Sequence, residues 1–205
     1  MSGTHAVPGQ RSGITVSPRD VLLSYQAVRF GHGVIDAANA CDGANTNHED
    51  ELRAGMILGQ ITSSKLWVPC KRTVASGAGS STTTLVVRDA RAFKSGDSIK
   101  VGSASAQAIV AVNYGSNTIT LTTGISWSDG DAVIAQDGSQ TARAILNEFV
   151  KLKDEDGVNR NKSFGQAVIA GLVDPNVLLG DAVAVRADTG NKLAFVQYGD
   201  DAGLV

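Results

Sequence analysis

Leu52-Arg53-Ala54-Gly55-Met56-Ile57-Leu58-Gly59-Gln60-Ile61-Thr62, continued by Ser63-Ser64-Lys65-Leu66 into Trp67-Val68-Pro69, is the stretch whose reading decides the fold. Apolar residues fall at Met56, Leu58 and Ile61. Gly55 and Gly59 sit where a tightly curved strand needs backbone freedom. Ser63-Ser64-Lys65 reads as a short turn and Leu66-Trp67-Val68 as the returning strand. The unit is a glycine-marked β-hairpin, of a kind that any small β-barrel can contain.

The composition around it agrees with an all-β chain. With 205 residues there is room for one large or two small domains, and a hydrophobic content of 42% supplies a packed core. Aromatics are scarce at 5% while glycines number 23, a balance that implies many turns and close backbone approaches. The formal charge of −2 gives a nucleic-acid partner no bulk electrostatic support, so none is expected. The sequence holds no run of eighteen apolar residues, so no membrane span or membrane partner is expected. Met1-Ser2-Gly3-Thr4-His5 lacks a basic region followed by an apolar core, and no signal peptide is expected. Cys41 and Cys70 stand alone without CxxC spacing. Reduced thiols in a cytosolic setting are the expectation, with one structural disulfide as the alternative.

Outward from the hairpin toward the N-terminus, residues 1–13 carry Gly3, Pro8, Gly9 and Gly13 with little apolar content and read as a flexible arm. Ile14-Thr15-Val16 alternates, as a short strand or a β-adding tail would. Ser17-Pro18 fits either a helix start or the end of an edge strand. Val21 to Phe30 is mixed in period and stops at Gly31-His32-Gly33. Residues 36–50 are polar, and although His32 and His48 lie near carboxylates, their spacing matches no zinc or calcium loop. A solvated loop is expected there.

Toward the C-terminus, Lys71-Arg72 closes the first barrel segment and Ser76-Gly77-Ala78-Gly79-Ser80-Ser81 reads as a linker. It lacks the Lys-Ser/Thr of a phosphate loop, which argues against nucleotide binding. Strands are expected at Leu85-Val86-Val87, Ser98 to Val101, Ala108 to Val112, Thr118 to Thr122 and Ala132 to Ile134, the second and last each following a Gly-Asp turn. The segments "SGDSIKV" (95–101) and "DGDAVIA" (129–135) form a pair similar to small β modules of phage fibres and virion surface proteins. Residues 142–150 fit strand or helix by period. Lys151 to Gly157 reads as a charged, solvated loop. Asn161-Lys162-Ser163 matches a glycosylation sequon, which carries no meaning without a secretory signal. Further strands are expected at Phe164 to Val173, after the Asp174-Pro175 turn at Val177 to Leu179, at Ala182 to Val185 and at Leu193 to Val196.

Catalytic signatures are thin. Asp188-Thr189-Gly190 spells the triplet of aspartic proteases, but those enzymes need two such aspartates sharing a proton, so one copy would demand a symmetric dimer. A hairpin turn is the expected role. The sequence holds no GxSxG, no HExxH and no Cys–His pair, and His5, His32 and His48 lie in polar or glycine contexts. The expectation is a protein that is not an enzyme, with no cofactor and no metal.

"LRAGMILGQITSSKLWVP" (52–69) resembles the signature hairpin of the head decoration proteins of tailed bacteriophages, the lambda-type capsid-stabilising family. There a leucine-arginine-glycine strand runs into a leucine-glycine-lysine pair, a Thr/Ser turn and an aromatic-valine-proline. A second block, Asp137-Gly138-Ser139-Gln140-Thr141-Ala142-Arg143-Ala144-Ile145-Leu146, is similar to the family's strand returning to the barrel, with Arg143-Ala144 in place of valine-glycine. The resemblance covers roughly residues 14–72 and 138–198. In the family the two blocks are close in sequence, whereas here residues 73–137 stand between them, which implies an insertion. The resemblance favours strand over helix in 142–150. It implies a mainly β fold: a small β-barrel core from 17–72 and 138–205, a flexible N-terminal arm at 1–16, and an inserted β module at 73–137. It further implies a virion structural protein, made in the host cytoplasm, that sits as a homotrimer on the outer capsid surface and stabilises the lattice of the major capsid protein. Ile14, Thr15 and Val16 would be its capsid-binding segment. A fibre, tail or baseplate component is the alternative, and an aspartic protease built on Asp188 a third.

Overall fold

The computed structural model describes residues 22–182, 188–189 and 193–195. It is mainly β, as expected. In chain order the strands are β1 (Leu22–Ile35), β2 (Glu51–Leu52), β3 (Ile57–Gln60), β4 (Trp67–Pro69), β5 (Arg72–Val74), β6 (Gly79–Val86), β7 (Ser98–Val101), β8 (Gln107–Asn113), β9 (Thr118–Trp127), β10 (Ala132–Ala135), β11 (Ala144–Leu146), β12 (Val150–Lys151), β13 (Lys162–Val173) and β14 (Leu193–Phe195).

The quoted stretch is indeed a hairpin: β3 and β4 pair antiparallel with Gly59 opposite Val68, and Lys65 takes a φ of 61° in the turn. On the other edge of β3 lies β11, with Leu58 opposite Ala144 and Ile57 opposite Ile145. β13 pairs with both β11 and β1, and β1 meets β4 at Ile35 and Trp67, so five strands close into a barrel. The pleat sends Met56, Leu58, Ala144, Leu146 and Ala167 inward against Ile35, Leu52, Val68 and Phe164. The alternate residues Ile57, Ile145 and Val168 are equally buried, because Val173, Val177, Leu178 and Leu193 of the C-terminal segment cover them from outside. Burial on both faces is why Met56-Ile57-Leu58 reads as a continuous apolar run rather than an alternation. Each such side chain contributes roughly 1.5–3 kcal/mol.

A second sheet has the order β5-β10-β7-β8-β9-β6, and a bridge between Ala75 and Val87 joins its two ends. Its core is separate from that of the first barrel. The sheet is internally duplicated. One fixed offset takes Ala75 to Ile109, Leu85 to Ile119, Val87 to Leu121, Phe93 to Trp127, Ile99 to Val133 and Val101 to Ala135, and every one of these residues is buried. Leu85 pairs with Ile119, its own counterpart, and Lys100 pairs with Ile134, also its counterpart. Antiparallel strands that meet at equivalent residues are related by a two-fold axis through that pair, so the halves are pseudo-symmetric. The turns match as well. Gly96 and Gly130 have φ of 91° and 81°, and the Asp97 and Asp131 carboxylates accept the amides of Lys94 and Ser128 at 2.9 and 2.8 Å. "SGDSIKV" and "DGDAVIA" are thus the two copies of one turn-and-strand element.

Several expectations change. Gly79 to Ser81, read as linker, opens β6, and the Trp127 indole N–H donates to the Gly77 carbonyl. Residues 36–50 are not a solvated loop throughout; Asp36, Ala37, Ala40, Cys41 and Asp42 are buried, while Ala38, Asn39 and most of 44–50 are exposed. Asp42 is satisfied by both the Nε and Nη2 of Arg53, at 2.5 and 2.9 Å, which a solvated loop would not require. Asp188 has helical backbone instead of a hairpin turn, as does Ala182, where a strand was expected. Residues 142–150 contain β11 and the first residue of β12, with no helix. The arm at 1–16, with Ile14, Thr15 and Val16, and the Ser17-Pro18 pair lie outside the described residues.

Candidate functional site

The chain leaves the first barrel at Cys70-Lys71 and returns to it at Asp137–Ser139, and these two crossings lie side by side. Lys71 N–H donates to the Ser139 carbonyl, Ala135 N–H donates to the Lys71 carbonyl, and Thr62 N–H donates to the Asp137 carbonyl. Around this crossing the barrels are clasped together. Gly43 N–H and the Cys41 thiol both donate to the Arg91 carbonyl, the Tyr114 hydroxyl donates to the Phe93 carbonyl at 2.9 Å, and Lys94 Nζ donates to the Ala38 carbonyl. The fit is close enough that a Cβ on Gly43 would lie 2.1 Å from the Tyr114 ring.

Lys71 is the chemical centre of this waist. Its side chain is fully buried, and its Nζ lies 2.5 Å from Asp97 Oδ1. The other carboxylate oxygen of Asp97 takes the Lys94 amide, as the Asp131 counterpart takes that of Ser128. Burial pushes the neighbouring Cys41 thiol up to about 11 against the pull of the Lys71 charge, and burial and Cys41 push the Tyr114 phenol up as well. The surroundings of the pair are therefore poorly solvated. Beside them a cleft of about 180 Å³ opens between Ala40, Glu49, Lys94 and Lys153, below the roughly 300 Å³ at which ligand pockets begin.

A second cluster pins the C-terminal segment to the barrel. Arg72 lies 3.8 Å from Asp181 and 3.6 Å from Asp188, and Asp188 Oδ2 accepts the Ala142 amide at 2.8 Å. Beneath it the Cys70 thiol donates to the Gln140 carbonyl, and burial, aided by Asp188, pushes it up to about 12. Asp188 here fastens one segment onto another. Both cysteines are buried and free.

Among the described residues no group of three or more His, Cys, Asp or Glu is placed to hold a metal ion, and no helix is long and apolar enough to cross a membrane. Exposed large apolar side chains include Phe30 and Val34 on β1, Phe149 before β12, and Val86 and Val110 on the second barrel. The Lys71–Asp97 pair and its clasp were not anticipated from the sequence. The signal was the repeated Gly-Asp turn, which marks Asp97 as structural but does not point to Lys71. The chain matches no protein-family model, and no curated protein matches it in sequence.

Proposed function

We propose that this chain is a virion structural protein that binds the outside of a phage head and stabilises its capsid lattice. The observation that carries the reading is the meeting of the two blocks of resemblance. Residues 52–69 and 137–146, far apart in sequence, supply β3, β4 and β11, three consecutive strands of one barrel. The second barrel enters and leaves at adjacent points of that framework, as an appendage inserted into a decoration-type core would. The partner is the major capsid protein, the working form a homotrimer on the outer capsid surface after synthesis in the host cytoplasm, and no catalytic step is involved. Binding free energy alone does the work: each copy adds interface that exists only in the assembled shell, and mass action then favours the shell.

A fibre, tail or baseplate role is the second reading. It is favoured by the surface of the second barrel, where residues 73–87 and 102–128 hold no charged side chain and expose Val86 and Val110. The test mixes the purified protein with empty expanded heads and with isolated tails. Saturable co-sedimentation with heads, a higher melting temperature of the decorated shells, and sharply weaker binding after deletion of residues 2–16 are expected, since Ile14-Thr15-Val16 would add a strand to a capsid sheet edge. Binding to tails alone moves the protein to the second reading, and binding to neither overturns both.

A further inference from the structure

Lys71 and Asp97 hold a nucleophile and a carboxyl carbon together where little water reaches. Lys71 is fully buried, the Asp97 side chain is 10% exposed, and Nζ and Oδ1 are 2.5 Å apart. Three buried residues surround the pair: Ala135, whose N–H donates to the Lys71 carbonyl, Phe93, four residues before Asp97, and Cys41, whose thiol donates to the Phe93 carbonyl. Two full charges kept there carry a desolvation cost that a neutral product would not. The duplicated turn isolates what is special about this aspartate. Asp131 performs the same turn-capping role through its Oδ2, but the residue that corresponds to Lys71 in the second half is Ser105. The lysine is thus not needed to make the turn.

We infer that Lys71 and Asp97 are the site of an intramolecular amide cross-link between the two barrels. The step is a condensation. The ammonium passes one proton to the carboxylate, and the neutral Nζ attacks Cγ, forming the N–C bond. The Lys94 amide on Oδ2, at 2.9 Å, is placed to steady the charge that develops on that oxygen. Oδ1 then takes a second proton from nitrogen and leaves as water as the Cγ–Oδ1 bond breaks. An ammonium and a carboxylate become one secondary amide and one water, with no oxidant or co-reactant. Holding the partners in place supplies the drive, since effective molarities for well-oriented intramolecular reactions reach about 10⁵–10⁸ M. The inference is independent of the proposed function.

Mass spectrometry of the full, folded chain decides it. The expected intact mass is lower than the sequence mass by one water, and trypsin should release a branched peptide joining 66–72 to 95–100, with cleavage after Lys71 blocked. Lys71→Arg should show the full sequence mass and only linear peptides. Asp97→Asn should likewise give only linear peptides, because it removes the carboxylate that takes the first lysine proton. An unaltered chain with full sequence mass and linear peptides after prolonged incubation overturns the inference and leaves an ion pair. So does a water loss that tandem spectra place on a single unbranched peptide.

Discussion

A methyl group on Gly59 would sit 1.9 Å from the carbonyl oxygen of Ser139, a backbone atom with no freedom to swing aside. Gly59→Ala should therefore destabilise the chain by roughly 3 kcal/mol or more, at or beyond the upper end of overpacking costs. Gly165→Ala is the matched control: it lies on exposed β13 backbone with nothing within 4 Å of the added carbon, and should stay within about 0.5 kcal/mol of the unaltered chain. Urea unfolding of both variants checks this, and equal midpoints would show that Ser139 does not press on β3. The pair also marks how far a residue can be read in isolation. Gly55 and Gly59 stand out in the sequence as sites of special backbone, and Gly55 does take a φ of 92°. The cause at Gly59 comes from a segment that only the closed barrel brings near, which no local pattern encodes.

Among the elements, the ones with a period or a turn signal were legible and the ones held by distant partners were not. β7 and β10 follow their alternation and their Gly-Asp turns, β9 begins with a clean alternation, and the β3–β4 hairpin, β8 and β13 are legible as apolar runs between turn residues. The Ser/Gly run at 76–81 looked like linker because its half-exposed strand β6 carries Ser and Thr where apolar residues usually alternate, and only pairing with β9 orders it. The acidic loop after β1 looked solvated because Asp42 finds Arg53 and Cys41 finds Arg91, contacts that sequence distance conceals. The duplicated turns give a direct comparison of a local with a long-range role. Asp131→Ala removes a turn cap and should cost about 1 kcal/mol. Asp97→Ala removes the equivalent cap and also strands Lys71 in a buried site, for which about 3–5 kcal/mol is the usual penalty. Thermal or urea unfolding of the two variants measures the gap; equal losses would mean that Lys71 finds another partner and that the waist does not depend on Asp97.

At the scale of the molecule, the question is whether the second barrel is an appendage or half of a single folding unit. Its core shares no residue with either cluster of the first barrel, and the chain crosses between them at Cys70-Lys71 and Asp137–Ser139. Those crossings are already adjacent, tied by the Lys71 and Thr62 amides to the carbonyls of Ser139 and Asp137. A short Gly/Ser bridge in place of residues 73–136 therefore spans a small gap, and loop closure depends only weakly on length. Arg72 stays, so its contacts with Asp181 and Asp188 survive. The cost falls on the clasp: Cys41, Gly43 and the Ala38 carbonyl lose their partners on the second barrel, and Lys71 moves from a buried pair into water. With Cys41→Ser to prevent oxidation of the uncovered thiol, the shortened chain should unfold in one cooperative transition at a lower midpoint than the full chain. It should also keep the full chain's oligomeric state by sedimentation. Cooperative unfolding with that state retained would mean that the barrel formed by β1, β4, β3, β11 and β13 folds and associates without the second one, as the proposed capsid role requires. A broad, non-cooperative transition would mean instead that the clasp around Lys71 makes one folding unit of both barrels, and that the second barrel is not an added part.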